Sequence, residues 1–137
     1  MCLSKIFSKY SGYVHLFLRV VLGAILLYHG IPKVLNIAGT ASFFGSMGLP
    51  LPSLLVYIAV LVEVVGGALL IAGLFTRFAA LGVLLQFLVI LLLKVPKGVG
   101  SLNAYEFDLL IFAVAFALLV EGGGKFGLEK LLLKKEF

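Results

Sequence analysis

The ionisable side chains inside long apolar runs are the residues of this chain best suited to chemistry. Glu63 is the tenth of 21 residues in the run Leu54 to Leu74, so its carboxylate lies near mid-membrane if that run spans a bilayer. A charge at that depth costs at least about 2.5 kcal/mol and therefore requires a partner or a function. Arg19, in the preceding run, is the predicted partner, reached directly or through water. The structural alternative is that such a pair only fixes the helix register.

A second group of polar residues is predicted at the far end of the first run. His29 and Lys33 close that run, and Glu106 and Asp108 open the last one at the same level. Glu106 shares a helical face with two alanines, which predicts that it points inward. His29 could relay a proton or donate a hydrogen bond to the carbonyl of a ligand, although a single histidine at an interface is often only solvated. The candidate ligand-binding residues are therefore Arg19, His29, Lys33, Glu63, Glu106 and Asp108.

Small residues lie beside these charges at helical spacing. Gly23 and Gly30 follow Arg19 along the first run, and Gly66 and Gly67 lie beside Glu63. Small residues on one face of a membrane helix let a second helix approach closely. The four glycines are therefore predicted to pack the first run against the second.

Several kinds of site have no support in the sequence. One cysteine, Cys2, gives no disulfide or thiolate metal cluster within a chain. His15 and His29 are about 21 Å apart along one helix, so a single chain cannot ligate one haem with both. No phosphate-binding loop and no nucleophile with its base is present. The cofactor is thus open, with no metal or haem expected from one chain, and an apolar interior with a few donors suits a quinone.

The composition identifies the environment in which these groups work. The chain has 137 residues, of which 63% are hydrophobic and 12% charged, and its mean hydropathy is +1.24. Soluble domains carry about 25% charged residues. We therefore expect a single integral membrane domain whose basic residues mark topology, not nucleic-acid binding.

Four apolar runs are long enough to be membrane helices, and they predict an all-α, antiparallel bundle of four transmembrane helices. Their approximate bounds are 13–31, 54–74, 78–93 and 102–120. With four crossings, both termini fall on the side that holds seven basic residues against three, which is the cytoplasmic side. Short amphipathic helices are predicted at both ends of the chain, and the apolar connection from Lys33 to Ser53 is predicted to lie at the interface or re-enter the membrane.

These residues together resemble the DoxX family of small membrane proteins. The resemblance extends from about Arg19 to Leu131 and rests on the order of short motifs. They are Arg19, Gly23 and Tyr28–Lys33; Phe43–Phe44 and Gly48–Pro50; Glu63–Leu70; Gly73–Arg77; and Glu121–Gly124. Arg19, Lys33 and Glu63 match charged positions of the family, and Gly30, Gly66 and Gly67 match its packing glycines.

The resemblance implies a four-helix protein of a prokaryotic cytoplasmic membrane, associated with quinone-linked oxidation of sulfur compounds or thiols. It implies a membrane subunit with a redox partner or a homo-oligomer. Two alternatives remain open from the residues. One is a proton-coupled transporter that uses Glu63, and the other is a non-catalytic anchor for a soluble oxidoreductase. The sequence contains no self-contained catalytic motif, so the chain is predicted to be at most a membrane subunit of an oxidoreductase.

Overall fold

The computed structural model describes residue 8, residues 10–94 and residues 103–134. Within these residues the chain is helical and contains no strand. The predicted amphipathic helix at the N-terminus lies mostly outside the described residues. The helices are α1 (Ser11–Leu35), α2 (Ile37–Ser46), α3 (Pro52–Ala72), α4 (Thr76–Lys94), α5 (Asn103–Glu121) and α6 (Leu128–Leu133).

Three of the described helices are long and apolar enough to cross a membrane. They are α1 with 25 residues, α3 with 21, and 18 residues of α4 from Thr76 to Leu93. They correspond to the first three predicted runs. α1 continues through Pro32 to Leu35, although proline was expected to close that run. Pro32 has no N–H to donate to the Tyr28 carbonyl, but its own carbonyl accepts a hydrogen bond from the Asn36 N–H, and the helix continues for three more residues.

The fourth run forms α5, which packs against α4 and α1. Its buried positions are Asp108, Ile111, Ala115 and Leu118, spaced by three and four residues, which is the spacing of one helical face. Glu106 lies off this face and is exposed, as is Ala113. The predicted inward orientation of Glu106 is therefore wrong, because the helix buries a neighbouring face two residues further on.

The core lies where α1, α3, α4 and α5 meet. Side chains on all four helices are nearly inaccessible there, including Leu22, Leu26, Leu70, Val83, Phe87, Ile111 and Leu118. Many large apolar side chains on the outer faces stay exposed. This pattern suits a membrane domain, since lipid covers those faces at no hydrophobic cost.

The connection between the first two long helices folds as α2. Asn36 begins it, and its side-chain oxygen accepts a hydrogen bond from the Gly39 N–H at 3.0 Å. None of the residues of α2 is buried, and the helix packs against the first turns of α3. α2 thus forms one wall of an open groove beside the end of α1.

Candidate functional site

Glu63 lies in a π-helical segment at the centre of α3. Residues Leu61–Val65 form this segment, and Glu63 is only 4% exposed. A π-helical turn inserts one extra residue into a helix and is found disproportionately at functional sites. Glu63 is the central residue of this segment and its buried one.

Lys33 is the charged partner of Glu63. The Lys33 ammonium donates to Oε2 of Glu63 at 2.5 Å and to the backbone oxygen of His29 at 3.0 Å. Its side chain is 21% exposed, whereas that of Glu63 is 5% exposed. The pair is therefore asymmetric, because Lys33 reaches the surface and Glu63 does not.

Gln86 of α4 completes the coordination of the carboxylate. Its side-chain amide donates to Oε1 of Glu63 at 2.6 Å. Its own amide oxygen is buried and has no hydrogen-bond partner in the described part of the chain. The sequence pattern did not single out Gln86, although an uncharged amide within an apolar run was the available signal. Lys33, Glu63 and Gln86 are called the polar cluster below.

Close packing of glycines brings α1 up to the polar cluster. A Cβ atom on Gly30 would lie 2.8 Å from Cβ of Glu63, and one on Gly23 would lie 2.6 Å from the backbone oxygen of Gly67. Gly67 makes the reciprocal approach, at 2.9 Å from the oxygen of Gly23. Gly66 does not take part in this contact, because a Cβ there would meet nothing within 4 Å.

Arg19 does not pair with Glu63, contrary to the expectation from the sequence. It is 1% exposed, and its Nη2 donates to the backbone oxygen of Phe126 at 2.6 Å. The carboxylate of Glu129, also 1% exposed, interacts with it electrostatically. Arg19 precedes Lys33 by fourteen residues, about 21 Å along α1. Glu63 lies at the level of Gly30, so Lys33 is the cation within its reach.

His29 lies between two shallow grooves on the surface. One, of about 430 Å³, is almost entirely apolar and is lined by Ala24, Ile25, Tyr28, His29 and Phe107. The other, of about 380 Å³, is more polar and is lined by His29, Pro32, Lys33, Asn36, Gly39, Thr40, Phe43 and Phe44. We call the first the apolar groove and the second the polar groove. A ligand with a polar head and an apolar tail could pass from one to the other across His29.

The two acidic residues of α5 have different surroundings. Asp108 is 7% exposed and interacts with a neighbouring group, whereas Glu106 is exposed. Phe107, between them in the sequence, has its ring centroid 5.7 Å from that of His29, with the two planes tilted by 54°. Of the predicted second group, His29 contacts α5 through the ring of Phe107. Lys33 instead pairs with Glu63 in the polar cluster.

The polar cluster has a defined chemical capacity. A lysine ammonium has three N–H donors, of which Glu63 and the His29 carbonyl accept two. Lys33 also lines the polar groove, so a ligand carbonyl there can accept the third. Within the described residues, no three His, Cys, Asp or Glu side chains come together as a metal site would require.

The protein has apolar helices long enough to span a membrane, and its polar cluster lies beside surface grooves. These features are those of small helical membrane proteins with an embedded polar site. A family model described as DoxX matches residues 14–95. The chain belongs to the DoxX family.

Three bacterial proteins are similar to this chain in sequence. A Bacillus subtilis protein named "Putative oxidoreductase CatD" is 34% identical over 120 residues, which cover 87% of each chain. "Inner membrane protein YphA" of Escherichia coli is 37% identical over 59 residues, 43% of this chain and 42% of the relative. A Haemophilus influenzae protein is 30% identical over 93% of this chain and 97% of its own. No solved structure matches.

Proposed function

We propose that this protein is the membrane subunit of a redox complex and binds a quinone headgroup in the polar groove, beside Lys33 and Glu63. The observation that carries the proposal is the polar cluster: a cation lines a groove while its buried carboxylate partner is held by Gln86. The name of the Bacillus subtilis relative supports an oxidoreductase role.

The groove supplies what a quinone headgroup needs. Phe43 and Phe44 offer aromatic faces, and Lys33 and His29 offer polar groups at one end. An N–H of Lys33 donates to one quinone carbonyl, and the adjoining apolar groove receives the isoprenoid tail. Apolar walls with a few fixed polar groups are the usual composition of a small-molecule site.

The polar cluster also accounts for proton transfer. Reduction of a quinone to a quinol takes up two electrons and two protons. In this proposal a dehydrogenase partner, either soluble or membrane-bound, supplies both electrons. Lys33, oriented by Glu63, passes one proton to one reduced carbonyl oxygen and takes a replacement from water at the open groove, and the second carbonyl oxygen takes its proton from that water directly.

In the membrane, we place α5 as a fourth crossing and both termini in the cytoplasm. Its 19 residues pack against α4 and α1, and the basic residues concentrate on the side of the termini. The name of the Escherichia coli relative supports the inner membrane. The complex is a homo-oligomer or a heteromer with the dehydrogenase.

Retention of quinone through mild purification tests the proposal. Organic extracts of the wild type, Lys33→Met and Glu63→Gln are quantified for quinone by mass spectrometry, with Glu106→Gln as the matched control for loss of an exposed carboxylate. A hydrogen bond from a charged donor contributes about 1.5–3 kcal/mol, so Lys33→Met should lower retained quinone at least tenfold. Glu63→Gln should lower it less, and Glu106→Gln should match the wild type.

Two outcomes would contradict the proposal. Protein without quinone but bound to a soluble oxidoreductase would indicate the anchor. A transporter would instead show pH-dependent binding of a lipophilic cation that Glu63→Gln abolishes. The ion pair disfavours this second alternative, because Lys33 already occupies the carboxylate that a transported cation would need.

A further inference from the structure

The C-terminal segment packs into the end of the molecule that holds the start of α1 and the turn between α3 and α4. We call this the tail end. Glycines with positive φ, Gly122 at 80° and Gly124 at 71°, turn the chain after α5. The Glu129 N–H then donates to the backbone oxygen of Gly73 at 3.1 Å. Together with the Arg19 contacts described above, these bonds fix the orientation of α6.

The fixed orientation leaves an apolar surface on the outside. Glu129 points inward at 1% exposure, while Leu131, Leu132 and Leu133 are 64%, 70% and 50% exposed. Lys130 and Lys134 are exposed beside them. In α6 the acidic side chain is buried and the three leucines are exposed, which is the reverse of the arrangement expected in water. Another phase or molecule therefore covers the leucines.

Aromatic side chains at the tail end indicate what covers this surface. Tyr13 is 56% exposed and stacks on Phe126 at 4.9 Å, and Tyr10 lies 6.4 Å from Tyr13. At the turn between α3 and α4, the exposed rings of Phe75 and Phe78 are 6.4 Å apart. Exposed aromatic rings grouped around the end of membrane helices are typical of the bilayer interface.

We propose that α6 is a peripheral lipid-binding surface that inserts Leu131–Leu133 into the bilayer and binds anionic headgroups through Lys130 and Lys134. The occupant is the membrane in which the protein resides, since the aromatic rings put α6 at interface depth. Three exposed leucines in succession, bordered along the chain by Lys130 and Lys134, match an apolar phase bordered by negative charge. This surface is independent of the proposed quinone site.

A label at Leu132 tests the proposal. Cys2→Ser removes the native thiol, and Leu132→Cys then carries a nitroxide spin label in nanodiscs of phosphatidylcholine with or without phosphatidylglycerol. In the anionic nanodiscs we expect the label to be more accessible to oxygen, which partitions into lipid, than to a water-soluble nickel chelate. Leu85→Cys, on an exposed part of α4, gives the mid-membrane reference, and a monodisperse size-exclusion profile shows that each variant is folded.

The lysines provide the control for charge. Each basic residue near an anionic surface contributes about 1 kcal/mol, a factor of about five, so Lys130→Gln/Lys134→Gln should shift the inserted population toward water by about 25-fold. The shift should occur only with phosphatidylglycerol. A label that stays in water in both lipid compositions would overturn the proposal, as would one shielded only when a second protein is added.

Discussion

Lys33 and Glu63 stabilise each other in a part of the molecule where a lone carboxylate would be costly. Glu63 is surrounded by apolar helices and receives hydrogen bonds from only Lys33 and Gln86 among the described residues. Lys33 keeps partial access to the surface. The two partners therefore differ in what their removal leaves behind.

Replacement of Lys33 should be more damaging than replacement of Glu63. Lys33→Met strands a buried carboxylate, and breaking a buried pair in this way costs about 3–5 kcal/mol. Glu63→Gln removes the buried charge together with the attraction, and Lys33 can turn to the surface. The free energy of unfolding, measured by titration with sodium dodecyl sulfate in mixed micelles, should fall most in Lys33→Met.

The double variant is the control for this prediction. Lys33→Met/Glu63→Leu removes both charges, and apolar replacements of buried pairs are often neutral. It should therefore recover most of the stability lost in Lys33→Met. Equal losses in the two single variants, or a double variant less stable than either, would show that the pair does not have this asymmetry.

The residues of the site were only partly predictable. Glu63 and Lys33 were candidates because charges in apolar runs require partners. Their pairing was not predicted, because one sequence does not give the depth at which two helices cross. Gln86 carries no charge, and the π-helical segment that contains Glu63 has no signature in Leu61–Val65. Each of these features depends on contacts between helices.

At the scale of elements, the contact between α1 and α3 depends on backbone proximity at Gly23, Gly30 and Gly67. The approach distances of 2.6 to 2.9 Å leave no room for a methyl group. The polar cluster lies at one end of this contact, since Gly30 touches Glu63. Separation of the helices would consequently lengthen the Lys33–Glu63 pair.

Gly30→Ala should destabilise the protein and weaken the site. The added Cβ would lie 2.8 Å from Cβ of Glu63 and from Cγ2 of Val64, and overpacking of this kind costs about 1–3 kcal/mol. Gly66→Ala is the matched control, because its Cβ meets nothing within 4 Å. Alanine there should be neutral or stabilise the helix by up to about 1 kcal/mol. Similar unfolding free energies for the two variants would contradict the close contact.

Gly73 fixes the tail end in the same manner. It has φ of 68°, and a Cβ would lie 1.4 Å from Nη1 of Arg19. Gly73→Ala should therefore displace Arg19 and release the C-terminal segment, which makes cleavage by trypsin after Lys125 faster. Gly82→Ala, whose nearest contact is an ordinary 3.6 Å, should be cut at the wild-type rate. Unchanged cleavage in Gly73→Ala would show that Arg19 does not hold the segment.

Element prediction from sequence succeeded where periodicity and composition dominate. The apolar runs gave the long helices to within a few residues. The C-terminal helix was predicted to be amphipathic. Its attachment through Glu129 was not predicted, because a carboxylate among lysines is expected to be solvated. Glu129 is buried because it lies near Arg19, which is distant from it in the sequence.

In the described part of the molecule, the polar cluster and the Arg19–Glu129 contact lie in separate regions. The polar cluster and its grooves lie beside the end of α1, and Arg19 with Glu129 lies at the tail end. The core of apolar side chains and the glycine contact between α1 and α3 separate them. The proposed ligand site therefore lies at one end of the molecule, and the C-terminal segment is attached at the other.

Photo-crosslinking with an azido-quinone in native membranes shows whether a quinone binds in the polar groove. After illumination and digestion, the label should map to residues 29–44, which form the polar groove, and excess unmodified quinone should compete it away. Lys33→Met should lose most of the labelling, whereas Glu106→Gln should keep it. Labelling that maps elsewhere, resists competition or persists in Lys33→Met would contradict a quinone site at this groove.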